Sequence, residues 1–175
     1  MIAPAQATTL LDGVLEPGER VIYAVRPDTR VTLRNKLFLW WIGAPWSIAV
    51  FGLLFAGRAS PWIALPLGMV GLALLAGPLL MLFEAQATLY AITDRRVLIL
   101  HRGMRPETLS WPFGRLDATP ELMTAGGKGG HLYIASNMPT KMRDVDYTGK
   151  LALRDLADVQ AAADALAQAR QDRSG

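Results

Sequence analysis

The stretch TLYAITDRRVLIL, Thr88–Leu100, decides how the rest of the chain is read. It is separated from a long uncharged run ending at Phe83 by only the connector EAQA. Within Thr88–Ile92 the pattern alternates, with Leu89 and Ala91 facing one way and Tyr90 and Ile92 the other. Thr93-Asp94-Arg95-Arg96 has a turn former at its centre, and Val97–Leu100 resumes with β-branched and aliphatic residues. That pattern predicts a β-hairpin.

What precedes it is of another kind. Half of the 175 residues are apolar and 19% are charged, below the quarter usual in soluble domains. The shortage is local: Leu37–Gly57 and Ala59–Phe83 contain no charge, with Arg58 between them. Two helices, 37–57 and 61–83, each have about the 20 apolar residues that a bilayer core requires. Ser60 suits an N-cap and Pro61 the first helical turn. Trp40 and Trp41 near one end and Trp62 near the other are expected as membrane-interface anchors. Pro45, Pro66 and Pro78 are expected to bend the helices, and Ala64–Gly68 and Ala73–Gly77 have small-xxx-small spacing.

The 36 mostly polar residues ahead of the first run argue against a cleaved signal peptide. Arg20, Arg26, Arg30, Arg34 and Lys36 precede the first run, and Arg95, Arg96 and Arg102 follow the second. The positive-inside rule therefore puts both termini in the cytoplasm of a multi-pass protein. Ser47 is the one hydroxyl or amide side chain in 37–57 and 61–83, too little polarity for an ion or proton path.

Further strands are expected at Arg20–Val25 after the Pro17-Gly18 turn, at Thr108–Phe113, near Leu116–Met123 and at His131–Ser136. Helical spacing of Val159, Ala163 and Leu166 predicts a closing helix at 156–170, capped by Asp158. The order is strand, apolar hairpin, antiparallel strands, helix, without the alternation of a parallel sheet.

LEPGERVIYAVRP (Leu15–Pro27), the two apolar helices, YAITDRRVLIL (Tyr90–Leu100), GGKGGHLYIA (Gly126–Ala135) and the closing helix together resemble bacterial membrane proteins with a pleckstrin-homology-like domain. The resemblance implies a membrane α + β fold: a transmembrane hairpin inserted in a PH-like antiparallel β-sandwich or barrel closed by a C-terminal helix. It implies about seven strands, with 1–14 as a tail, the first strand in 15–36, the hairpin at 37–83, the remainder of the domain at 84–170 and a tail at 171–175. It also places the protein in the bacterial inner membrane.

Candidate lipid head-group contacts are the juxtamembrane Arg26, Arg30, Arg34 and Lys36, together with Arg95 and Arg96. For the last two the alternative is a solvated turn in which Asp94 neutralises one of them. Ala125–Gly130, AGGKGG, lacks the Lys-Ser/Thr ending of a phosphate-cradling loop and reads as a turn between strands. His101 and His131 have no metal-ligand spacing, there is no cysteine, and no catalytic residue, metal or cofactor is nominated. Beyond Phe83 the chain has 12 basic and 11 acidic residues with no basic stripe, which speaks against nucleic acid. The expected function is a non-enzymatic scaffold presenting a binding domain to a protein partner, to a second copy of itself or to lipid head groups. The alternatives are an accessory subunit of a larger membrane complex and a membrane-anchored enzyme.

Overall fold

The computed structural model describes Gln6, residues 9–124 and residues 127–174. The chain divides into two compact units, 1–31 with 84–175, and 32–83. The first unit is interrupted in sequence by the second, and the interruption falls between two strands that pair. β1 (Val21–Val25) lies antiparallel to β2 (Thr88–Thr93), with Ala24 opposite Ala91 and Val25 opposite Tyr90. β2 continues into β3 (Arg96–His101) through the expected hairpin turn, and β3 pairs with β4 (Glu107–Pro112).

Among the described residues a second antiparallel sheet follows, in the order β5 (Glu121–Thr124), β6 (Gly130–Ala135), β7 (Leu151–Leu156). α1 (Thr29–Lys36) begins in the first unit and runs on into the second, and the chain closes with α4 (Val159–Ser174). Two antiparallel sheets with a terminal helix and two long apolar helices make the fold α+β.

Alternation accounts for the core. Tyr90, Ile92, Val97 and Ile99 join Tyr23, Trp111, Leu132, Leu153 and the α4 residues Val159, Ala162 and Leu166 in one buried cluster. The other face of the hairpin is buried too: Leu89, Ala91, Leu98 and Leu100 pack with Ala24 and Leu11. Leu11 is wholly buried, so the segment expected as a tail covers the outer face of the sheet from at least this residue. A strand reading VLIL has no polar face to give to water, and something must cover its second side.

Several boundaries differ from the sequence reading. The region 15–36 holds a five-residue strand and then α1, whose start is fixed by Asp28: its Oδ1 accepts the amides of Arg30 (2.7 Å) and Val31 (3.3 Å). LALRDL forms β7, so Leu156 ends a strand and the helix begins at Val159; Asp158 Oδ1 caps it through the Ala161 amide (3.0 Å). The same helix runs through Ser174, past the expected end at Arg170.

The second unit holds α2 (Phe38–Phe55) and α3 (Pro61–Gln86), the latter extending three residues beyond it. The two pack through small residues: Gly43 lies against Leu74, Gly68 against Phe51, and Gly71 against Ser47. Ala64 and Gly68 are buried in this contact, whereas Ala73 is exposed. Trp40 Nε1 donates to Leu75 O and Trp46 Nε1 to Leu67 O, both at 2.9 Å. Leu75 adjoins Leu74, whose carbonyl Pro78 deprives of an amide partner, so an indole donor arrives where the helix ladder is weakest.

Candidate functional site

The Arg95–Arg96 turn is built by a motif that folds onto itself. Thr93 Oγ1 donates to Glu19 Oε1 (2.7 Å) and accepts the amides of Arg95 and Arg96. Asp94 Oδ1 accepts the Arg20 amide at 3.0 Å, while its own amide donates to Arg20 O. Arg96 reaches Glu19 through Nε (2.9 Å) and Nη2 (2.8 Å), and Glu16 through Nη1 (3.2 Å). The turn Glu16-Pro17-Gly18-Glu19, with Gly18 at φ +78°, presents both carboxylates.

Glu19 has no exposed side-chain surface. Burial alone would raise its pKa. The hydrogen bonds from Arg96, the Glu16 amide and Thr93 overcome that and hold it at about 2. The neutralising acids are therefore Glu16 and Glu19, and Asp94 is engaged with the backbone. Arg96 is a fastener of β1, β2 and β3. Arg95 is half-exposed, with Glu16 at 3.4 Å.

Beside this turn lies an open cleft of about 750 Å³. Arg20, Arg95 and Arg96 line it from the sheet and Arg173 from α4, against Glu16, Asp94 and Asp172. Alternating charge of this kind suits a polar segment carrying both signs better than a multiply charged phosphate.

At the opposite end of β2 a second polar cluster ties Thr88, His101 and Asp144. Thr88 Oγ1 donates to Glu84 O (2.8 Å) and lies 3.0 Å from His101 Nδ1; His101 Nε2 stands 2.6 Å from Asp144 Oδ2. A hydroxyl, an imidazole and a carboxylate in line are the parts of a nucleophilic triad. Here the hydroxyl proton points to a carbonyl, both ring nitrogens are engaged within the protein, and Thr88 and His101 are buried. The arrangement braces the start of β2 against the loop before β7. Asp144 adopts φ +63° to take part. Tyr90, fully enclosed beside it, has its pKa pushed well up, by burial first and by the Asp144 charge second, and its oxygen accepts the Arg154 amide at 3.2 Å. His131 Nδ1 accepts the Asp155 amide at 3.0 Å. Among the described residues no group of three His, Asp or Glu side chains could hold a metal ion.

The six basic candidates are not brought together. Arg26 is exposed one residue beyond Val25, whose partner is Tyr90, and so lies toward the Thr88 end of the sheet. Arg95 and Arg96 stand at the other end. Arg30 and Arg34 are exposed and four residues apart on α1, and Lys36 is half-buried. Of the tryptophans, Trp41 and Trp62 project from the helices, 81% and 89% exposed, while Trp40 turns inward to Leu75.

In AGGKGG, Ala125 and Gly126 lie outside the described residues. Gly130 sits where a Cβ would collide with Met123 O, and a Cβ on Gly129 would come within 2.9 Å of Val31 Cγ2. Lys128 O accepts the Val159 amide at 3.0 Å, so the loop meets the N-terminus of α4 with a carbonyl. Gly129 and Gly130 serve close packing, and Gly127 serves the turn with φ +100°.

The partners of Arg96 and His101 escape sequence reading because they lie 77 and 43 residues away. One signal was present: pairing β1 with β2 carries Glu19, just ahead of β1, to the turn. No protein-family model matches this chain, and neither a curated protein nor a solved structure matches it.

Proposed function

We propose that this is an integral protein of the bacterial inner membrane, whose PH-like domain is held at the cytoplasmic face by a two-helix anchor and works as a non-enzymatic docking module. The observation that carries the reading is the exposure of the two apolar helices. Only 11% of the apolar window of α2 and 22% of that of α3 is buried, whereas a soluble core helix hides most of its surface. The outward residues are bulky, among them Phe55, Ile48, Ile63, Met69 and Leu79. A lipid environment satisfies such a surface, and this favours an anchor over an accessory subunit packed through small residues. The pairing of β1 with β2 supports the insertion of the anchor inside the domain.

The ligand of the module is a protein partner, which the mixed-charge cleft at Arg20, Arg95 and Arg173 suits. A domain tethered to a surface meets its partners at raised effective concentration, so a weak contact suffices. Native mass spectrometry of the tagged protein, extracted gently from its own membranes, tests this. A fixed-ratio partner protein lost on charge reversal at Arg20 and Arg173 is the expected result. Recovery in the soluble fraction would end the anchor reading. A lone membrane-embedded monomer with catalytic turnover would end the docking reading.

A further inference from the structure

At the Thr88 end of the first sheet, two loops close over one carboxylate. Glu84 is joined by a single peptide bond to Phe83, the last residue of the apolar run, so covalent geometry alone holds their Cα atoms about 3.8 Å apart. Glu84 Oε1 accepts the Met104 amide at 2.8 Å and Oε2 accepts Arg143 Nη2 at 2.6 Å. Arg143 Nη1 in turn donates to Arg105 O at 2.8 Å. Gly103 backs onto the same carboxylate, and a Cβ there would stand 2.6 Å from Glu84 Oε2. The main chain at 104–105 is thus pinned, directly and through Arg143, to the residue that follows the apolar run.

What this loop turns outward is chemically specific. Met104 is 61% exposed, and Arg102 and Arg105 beside it are exposed as well. Lys141, two residues before the clamping Arg143, is exposed too. The acids Glu84 and Asp144 already face Arg143 and His101, which leaves Glu107 as the exposed carboxylate nearby. An unbranched apolar tip flanked by cations fits the boundary between acyl chains and anionic head groups.

We infer that the loop 102–106, with Lys141, is a foot through which the globular unit contacts anionic lipid head groups of the leaflet that the apolar helices enter. This rests on the membrane reading above, and it moves lipid contact away from Arg95 and Arg96 to residues the sequence did not nominate.

The chain has no cysteine, so single nitroxide labels at Met104→Cys, Leu53→Cys and Gln171→Cys report local surroundings in the full-length protein. The protein is placed in nanodiscs of phosphatidylcholine alone or mixed with phosphatidylglycerol. In the mixed discs the labels at 53 and 104 are expected to be reached by oxygen in preference to a water-soluble nickel chelate, and the label at 171 the reverse. Omitting phosphatidylglycerol, or replacing Arg105 or Lys141 by Gln, should lower the ratio of docked to free loop about fivefold per charge. A label at 104 that behaves like that at 171 in every disc, with 53 in lipid, overturns the foot and leaves the anchor standing. Shielding at 104 that ignores both glutamines and lipid charge also overturns it, because the contact is then not with head groups. A label at 53 reached by the chelate overturns foot and anchor together.

Discussion

The two ends of β2 carry the same chemistry put to different use. At one, Arg96 meets Glu19 at 2.8 Å; at the other, Arg143 meets Glu84 at 2.6 Å. The first pair is sealed, with side chains 17% and 0% exposed, and its remaining polar atoms are engaged by Thr93, Glu16, Ser110 and the backbone. The second is partly open, 28% and 23% exposed, and it holds main-chain atoms of a loop while Met104 and Arg105 point away. Two adjacent arginines in a turn look available in a sequence. Whether they are depends on which acid the fold returns to them from far along the chain.

The sealed pair gives the largest expected effects. Glu19→Ala takes from Arg96 its buried carboxylate and leaves the half-exposed Glu16 as its ion partner, and should cost about 3–5 kcal/mol in urea unfolding of the detergent-solubilised protein. A loss under about 1 kcal/mol would erase the distinction between the two ends. Acid makes the same point reversibly. Glu19 titrates at about 2 in the folded chain against an ordinary 4.5, so its contribution is complete above pH 4.5 and disappears as pH falls toward 2. The difference is on the order of 3 kcal/mol. Melts at pH 7, 4 and 3 should show this decline in the parent protein, and a shallower one in Glu19→Gln.

The open pair should yield a smaller effect. Gly103→Ala drives a methyl group against the Glu84 carboxylate, which must then leave the Met104 amide or Arg143. A cost of about 1–3 kcal/mol is expected. Hydrogen exchange should speed up at Met104, whose amide Glu84 accepts, and remain unchanged at Arg96. Equal acceleration at both would show that the ends are coupled rather than independent.

Sequence patterning revealed the hairpin at Thr88–Leu100 because its alternation, its turn former and its β-branched residues agree with one another. It revealed the apolar helices because length and absence of charge need no partner to be recognised. β7 was missed because LALRDL, at the head of an alanine-rich segment, also fits the first turn of a helix. α1 was missed despite the Asp28 cap because TRVTLRNK contains residues of weak helix preference. The covering role of Leu11 was available in principle from the unbroken apolar run at Val97–Leu100, which implies a strand buried on both sides. Glu84 read only as the first residue of a connector; its place between the Met104 amide and Arg143 requires loops distant in sequence to be brought together.

The smallest expected effect separates the neighbours Arg95 and Arg96. Arg95 contacts Glu16 at 3.4 Å with both side chains about half exposed, a pairing that water screens and side-chain entropy opposes. Arg95→Gln should therefore change stability by less than about 0.5 kcal/mol, whereas Arg96→Gln strands Glu19 in the interior and should approach the cost of Glu19→Ala. If the Arg95 variant nevertheless weakens capture of the proposed protein partner, the cleft acts as a recognition surface whose affinity can change without the fold. If both variants are equally silent in stability, Arg96 is not the fastener its geometry describes, and the tandem arginines revert to a solvated turn.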